Sequence, residues 1–450
     1  LCYMKNRSFF IVTLIAACSA LSAQNPLVTH MYTADPTARC YDGKLYVYPS
    51  SDVVPPKNLA NINNGFCMPG YHGFSLEGGS TWKDHGWILK ENDVPWGEKD
   101  TYAMWAPDCV KKDGKYYYYF PAKAKNDKAF RRIGVGVSDN PMGPFKWEKN
   151  YIKDIQGIDP GLFVDDDNQA YLYYGGGQKL YGVKLSDDMK SIEGEPVEIS
   201  GLPFGYKEGS FLFKKDGIYY FTFAHVFPEE GYTIGYATSD SPLGPFVYRG
   251  KIMDNIDNGT NHHSVVNYNG RWILFYHFWH VSGHNKLRSM CADYMEFTKE
   301  GAIKKVKPTL RGIGNPTIGD TIQVDRYNEI ISASTTFVSG DEPKGWMVCE
   351  ARNGAAVRFN GVDFGNGEAK KMMARVACEN MGCNIEVRIG HQSGKVIAKY
   401  KVPHTGGWGK WVTLESDILE QVKGKQDIFV RFFSTNGSTK TANLNWLLME

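Results

Sequence analysis

Residues 30–52 read HMYTADPTARCYDGKLYVYPSSD. The pair Asp42–Gly43 stands between two β-rich runs. D-G flanked in this way is a strong sign of a tight hairpin. The pattern returns four times, in KDGKYYYYF, DDDNQAYLYY, KDGIYYFTF and YNGRWILFYH. The turns centre on Gly43, Gly114, Asn168, Gly217 and Gly270, at spacings of 71, 54, 49 and 53 residues. The segments RIGVGVSDNPMGPF (132–145) and YTIGYATSDSPLGPF (232–246) nearly repeat each other and supply further strands. Five units of about four short strands, at a period near 50 residues, predict an all-β protein built on a five-bladed β-propeller. One such sheet cannot bury both its faces, whereas radial packing of five sheets buries them. Five turns of one chemistry favour this reading over a β-sandwich with accidental similarity.

Composition agrees. The chain has 450 residues, room for two domains, with 48 glycines and 14% aromatic residues. Long amphipathic helices are hard to find. A net charge of +2 gives no broad basic field for nucleic acid. The aromatic residues suit flat apolar ligands, sugars above all, although most of the 27 tyrosines belong in a core. Residues 1–23 read as an export leader: Lys5 and Arg7, the short apolar run FFIVTLIAAC, then cleavage between Ala23 and Gln24. The expected location is periplasmic or secreted; the competing reading is a lipoprotein anchored through Cys18. No later run is long and apolar enough to span a bilayer. The remaining seven cysteines are scattered and lack CxxC spacing, which argues against a disulfide framework and against zinc; Cys378 and Cys383 are the one candidate pair.

Three acids occupy matching places in the repeat. Asp35 precedes Pro36, Asp159 precedes Pro160 in GIDPGLFVDDDNQAYLYYG, and Glu208 precedes Gly209 in GYKEGSFLFKKDGIYYFTF. Each alone reads as a turn cap. In a propeller, however, the innermost strand of every blade lines one axis, so acids from blades one, three and four converge. Converging carboxylates raise one another's proton affinity. One can then stay protonated while another stays ionised, as glycoside hydrolysis requires. Asp108, in WAPD, reads as structural, holding a rim loop, and Asp165–Asp167 as a solvated turn.

These motifs carry a resemblance. ADPTARCYDGKLYVYPSSD, MWAPD, GIDPGLFVDDDNQAYLYYGG, KEGSF, SDSPLGPF and NHHSVV, in this order over residues 27–310, resemble glycoside hydrolase family 43, whose arabinofuranosidases and xylosidases are five-bladed propellers. The resemblance implies an inverting hydrolase of plant cell-wall glycan, arabinoxylan, arabinan or xylo-oligosaccharides, with no organic cofactor. It would release α-L-arabinofuranosyl or β-xylosyl units; another furanoside, endo cleavage of arabinan, and a non-catalytic glycan-binding propeller are the alternatives. Asp35 is implied as general base, Asp159 as pKa modulator and Glu208 as general acid, with base and acid roughly 6.5–9.5 Å apart. The family's EGP is EGS here, a departure expected to alter the wall beside Glu208, and it leaves substrate preference open. His262 matches a histidine that holds a cation such as Ca²⁺, or water, near the axis; in a strand only one of His262 and His263 can face it. Trp105 is implied as a stacking ring and Arg288 as a partner of substrate hydroxyls, with Tyr71 and His72 as pocket walls. The insert VVPPKNLANINNGFCMPGYHGF (53–74) is expected to close one side of the funnel and favour exo action.

From about residue 320 the texture changes to alternating strands of a sandwich. NGVDFG, TGGWGKW and NLNW, over residues 321–450, resemble a family 6 carbohydrate-binding module. The resemblance implies a sugar clamped between two rings, with Trp408 as one ring and Asn445 as hydrogen-bond partner. The stretch NGAAVRF puts Ala356 where the second ring belongs, so the cleft is expected to be weakened. Gln323 and Asp325 match a region of structural cation ligands, with Gln323 replacing an acid. The expected division is a leader (1–23), a propeller (24–318) and a β-sandwich (319–450).

Overall fold

The computed structural model describes residues 25–450, except 60–61, 78–80, 178, 257–258, 280–281, 339–344 and 438. The leader and Cys18 lie outside the described residues. Among these residues there is no α-helix, only strands and three short 3₁₀ turns.

Five antiparallel sheets follow one another along the chain. Blade one holds β1 (Tyr32–Tyr41), β2 (Lys44–Asp52), β3 (Gly70–Glu77) and β4 (Thr81–Lys90). Blade two holds β5 (Asp108–Lys112), β6 (Lys115–Ala122), β7 (Arg132–Ser138) and β8 (Lys146–Trp147). Blade three holds β9 (Gly161–Val164), β10 (Ala170–Gly176), β11 (Lys179–Leu185) and β12 (Ile192–Glu198). Blade four holds β13 (Tyr206–Lys215), β14 (Ile218–Phe227), β15 (Gly231–Ser239) and β16 (Val247–Met253). Blade five holds β17 (Ser264–Tyr268), β18 (Arg271–Phe278) and β19 (Ser289–Met295). Strand order within each blade is the order in the sequence, the meander that a run of hairpins produces.

The repeated turns explain the meander. Asp42–Gly43, Asp113–Gly114, Asp216–Gly217 and Asn269–Gly270 all have positive φ at both positions, near 50° and then 74–81°. That is the backbone of a type I′ hairpin, whose twist matches that of the strands it joins. Each of these turns links the first and second strands of a blade.

Aromatic side chains fill the seams between blades. Tyr48 and Tyr71 of blade one meet Tyr118 of blade two with ring centroids 5.6 Å apart, all of them fully buried. Truncating one such ring costs about 3–5 kcal/mol, because a cavity is left behind. The ring closes through the N-terminal segment. Leu27 N–H donates to the Met290 carbonyl, and the Asn25 side chain both donates to the carbonyl and accepts from the N–H of Ala292. Asn25 thus pairs with the edge of β19 in the manner of a strand residue.

Asp108 is structural, but not at a rim. It begins β5, is buried, and takes both Arg39 of β1 and the N–H of Leu162 of β9, so it ties three inner strands together.

The strands from Thr321 to Met449 form two packed sheets, a β-sandwich. One sheet orders Ser334–Val338, Gly345–Cys349, Asn443–Met449, Lys371–Ala377 and Val412–Asp417. The other orders Glu329–Ile331, Ala356–Asp363, Lys425–Ser434, Cys383–Ile389 and Val396–Val402. Alternate residues such as Val357, Phe359, Ile428, Val430 and Phe432 point into one core. Among the described residues Cys378 and Cys383 form no disulfide with each other. No helix among the described residues is long and apolar enough to cross a membrane.

Candidate active site

The three acids meet in one pocket. Asp35, Asp159 and Glu208 all line a cavity of about 180 Å³ at the propeller axis.

Local backbone aims each acid. The β1–β2 register slips between Ala34 and Thr37, so Asp35 and Pro36 form a bulge in the inner strand. Asp35 has φ of 48° and Asp159 has φ of 54°, a left-handed conformation that costs a non-glycine residue about 1 kcal/mol or more. Pro36 and Pro160 follow directly and lock the exit. At Glu208 the register slips again, and the left-handed position passes to Gly209, φ 71°. Bulges re-aim side chains in this way beside functional sites.

Asp35 is the most firmly held acid. Its Oδ1 accepts from Arg288 Nη1 at 3.0 Å, and its Oδ2 accepts from Ser50 Oγ at 2.6 Å. Its own N–H donates to His277 Nδ1 at 3.1 Å. Burial pushes its carboxyl up, but Arg288, His262, His277 and the Ser50 hydroxyl together outweigh burial and bring it to about 2. His277 itself is driven down to about 3 by burial and by Arg288, so it stays neutral and free to accept. Arg288 also grips Asp52 through Nε and Nη2, at 2.9 Å each.

The other two acids are pushed the opposite way. Burial, then the charges of Glu208 and Asp35, hold Asp159 well above the usual carboxylate range. Burial likewise raises Glu208, opposed by a hydrogen bond from the Tyr232 hydroxyl to Oε1 at 3.1 Å. Asp159 Oδ2 accepts from Gly209 N–H at 3.1 Å, which ties the two acids' loops together. One pocket therefore holds a carboxyl lowered by neighbouring cations beside two raised by burial, an electrostatic arrangement that suits acid–base catalysis.

Not every expected residue belongs to this pocket. Trp105, Arg288 and His262 line it. Arg288 faces Asp35 and Asp52, so its first partners are carboxylates. Tyr71 and His72 do not line it. Tyr71 is fully buried beneath the site, its hydroxyl donating to the Trp105 carbonyl at 2.7 Å. His72 bonds Asp84 and lies against Trp87, within the blade-one sheet. Strand alternation, not the sequence neighbourhood, decided both positions. His263 turns away from the pocket and bonds Thr222 Oγ1 at 2.7 Å. His262 Nδ1 lies 3.6 Å from Asp159 Oδ2. Among the described residues no three His, Cys, Asp or Glu side chains gather as a metal-ligand set. The pocket carboxylates are engaged by Arg288, Ser50, the Gly209 N–H and Tyr232, and are not gathered about a common point, so the residues here do not form a protein cage for a hard cation.

Several pocket residues escaped the sequence reading. Behind the cavity wall, Ser50 and Asp52 sit in the opening stretch, but only the register of β2 turns them toward Asp35 and Arg288. His277, Thr260 and Tyr232 carry no motif. Asn63, Asn64, Phe66 and Met68 line the pocket from the blade-one insert.

In the sandwich, Trp408 is half-buried and Lys440 Nζ lies 4.2 Å over its ring. Asn445 is fully buried, so it offers no surface to a sugar without rearrangement; Asn443, its neighbour, bonds the Trp408 carbonyl. Ala356 is buried within its strand and pairs with Arg431. Asp325 is buried and paired with Arg326 at 3.2 Å, and Gln323 pairs with Trp446 on the sheet edge, so neither region gathers cation ligands.

Comparison with known proteins agrees with this architecture. Residues 23–303 match the profile of glycosyl hydrolases family 43, and residues 326–450 that of carbohydrate binding module family 6. A xylosidase/arabinosidase of Humicola insolens is 38% identical over 63% of this chain and 99% of its own. An arabinoxylan arabinofuranohydrolase of Bacillus subtilis (strain 168) is 30% identical over 98% of this chain and 94% of its own. A family 43 β-xylosidase/α-arabinofuranosidase from a compost microbial metagenome, solved with xylotriose in a calcium-free form, superposes with a TM-score of 0.57; it is 38% identical and covers 63% of this chain and 97% of its own.

Proposed function

The chain belongs to family 43 of the glycosyl hydrolases, and from that premise we propose that it is an exported, exo-acting, inverting enzyme that removes α-L-arabinofuranosyl or β-xylosyl units from xylan-type glycans of the plant cell wall. The observation that carries this reading is the division of labour in one small cavity. Asp35 is held ionised by Arg288, while Glu208 and Asp159 are held toward their protonated forms.

The terminal sugar enters the cavity with its anomeric carbon between Asp35 and Glu208. Asp35 accepts a proton from a water as that water's oxygen bonds to the anomeric carbon. Glu208 gives its proton to the glycosidic oxygen as the bond to the leaving chain breaks. The next cycle begins when Asp35 returns its proton to solvent and Glu208 regains one. Asp159 keeps Glu208 loaded by sharing the site's proton. Water and two carboxyl groups balance the reaction, so no organic cofactor is needed. The insert residues Asn63, Asn64, Phe66 and Met68 wall the cavity and favour a chain end over a chain interior.

Purified protein and its Glu208→Ala variant, assayed on aryl α-L-arabinofuranoside, aryl β-xyloside and arabinoxylan, test this reading. Release of arabinose or xylose by the wild type alone identifies the sugar and the acid together. Activity of Glu208→Ala on arabinoxylan equal to wild type refutes the assignment of the acid. An aryl leaving group needs little protonation, so the polymer is the stricter substrate. Proton NMR of the first sugar released reads the anomer; retention of configuration refutes the inverting mechanism.

A further inference from the structure

A run of rings leaves the cavity. Phe66 and Trp105 line it, with centroids 6.5 Å apart. Trp105 in turn meets Phe130 at 5.5 Å, edge to face. Phe130 does not line the cavity, and 60% of it is exposed, so the run climbs from the pocket wall to its mouth. An exposed phenylalanine on a loop ordinarily samples several rotamers. This one is held. The guanidinium of Arg131, only 4% exposed, lies 4.6 Å from the Trp105 ring and 4.5 Å from the Phe130 ring. Arg131 is itself fixed by the Asn63 side chain, at 2.9 Å, and by the Phe130 carbonyl, at 2.6 Å.

We propose that Phe130 is the stacking platform for the sugar on the leaving-group side, the backbone unit from which the terminal pentose is cut, and that Arg131 is the positioning residue that holds the platform. This rests on the exo reading above. On that reading the cavity takes one terminal sugar, and the rest of the chain leaves through the mouth. A pyranose ring presents axial C–H groups to a ring face, and a preorganised aromatic binds it without losing rotamer freedom. The cation packed between the rings draws both into fixed register.

The test compares wild type with Phe130→Ala, Phe130→Trp and Arg131→Met. Each is assayed with xylo-oligosaccharide or arabinoxylan, and each is titrated with the released monosaccharide as inhibitor. Phe130→Ala is expected to raise KM for the oligosaccharide about tenfold, with kcat changed less and monosaccharide inhibition unchanged. Phe130→Trp is expected to restore KM, and Arg131→Met to raise KM in the same direction by a smaller factor. An unchanged oligosaccharide KM in Phe130→Ala overturns the proposal. So does a rise shared equally by the monosaccharide inhibition constant, which reveals a merely structural prop for Trp105. If the wild type cleaves none of these substrates, the function proposed above has failed, an outcome distinct from either of these.

Discussion

Arg288 Nη1 donates to Asp35 Oδ1 at 3.0 Å across the seam where blade five meets blade one. The same guanidinium takes both oxygens of Asp52. The acid read as the catalytic base is therefore fixed by the closure of the ring, and its charge depends on a residue 253 positions away. Replacing Arg288 by Met leaves two buried carboxylates facing no cation, a loss of about 3–5 kcal/mol. The acid limb of the kcat/KM profile should move to higher pH, since Asp35 loses its largest opposing influence to burial. The stability linkage follows from the same shift. A depressed carboxyl stabilises the fold above its unfolded pKa, and that contribution is lost as pH falls toward about 2. In the variant, with burial no longer outweighed, that contribution shrinks or reverses, so acidification should cost the fold less than in wild type. Denaturant titrations from pH 3 to 7 check it; profiles that superimpose with wild type would show that Arg288 does not set the charge.

The Tyr232 hydroxyl of β15 donates to Glu208 Oε1 at 3.1 Å. Its hydrogen bond favours the ionised form, so Tyr232→Phe should raise the proton affinity of Glu208 further. The alkaline limb of activity is expected to move to higher pH. Maximal kcat should fall less than about tenfold, because the proton donor itself is retained. A downward shift of that limb would contradict the assignment of Glu208 as acid.

Asp159→Asn should act in the other direction. Without the coupled carboxyl, Glu208 titrates alone and gives up its proton at lower pH. We expect the alkaline limb to move down and activity at neutral pH to drop, most on arabinoxylan, where leaving-group protonation matters most. The comparison with an aryl substrate is the measurement; equal losses on both would point to a structural defect.

Asp293 accepts from Asn25, Tyr276 and Thr309 where the N-terminal segment docks. Burial nevertheless lifts its carboxyl to about 6. A raised acid stabilises the fold while protonated, so stability should decline as pH rises from about 4 to 6. Asp293→Asn should flatten that decline in urea unfolding curves. A slope as steep as in wild type would place the titrating group elsewhere.

Lys440 covers the ring of Trp408 in the sandwich, and the partner residues expected beside it are buried. Trp408→Ala is therefore expected to change retention on insoluble xylan less than about twofold, since stacking needs an open ring face. Lys440→Ala should increase retention by baring the ring. Affinity electrophoresis on xylan gels distinguishes these outcomes, and a large loss in Trp408→Ala would show that the lysine swings aside.

The five hairpin turns, the change of texture near residue 320 and the three acids were all legible in the sequence. Turn chemistry, strand period and the Asp-Pro steps are local properties, written in neighbouring residues. The convergence of Asp35, Asp159 and Glu208 followed from them because a propeller brings equivalent positions of every blade to one axis. What the sequence could not determine was register and closure. Whether Tyr71 faces the pocket or the seam turns on a single step of strand alternation, and it went to the seam. Arg288 with Asp52, Tyr232 with Glu208 and His277 with the N–H of Asp35 join residues from different strands or blades, and no local pattern encodes such pairs. Nor does composition reveal that Lys440 lies over Trp408. The acids were fixed by local chain geometry; their charges were decided only by the neighbours that tertiary packing brought within hydrogen-bond reach.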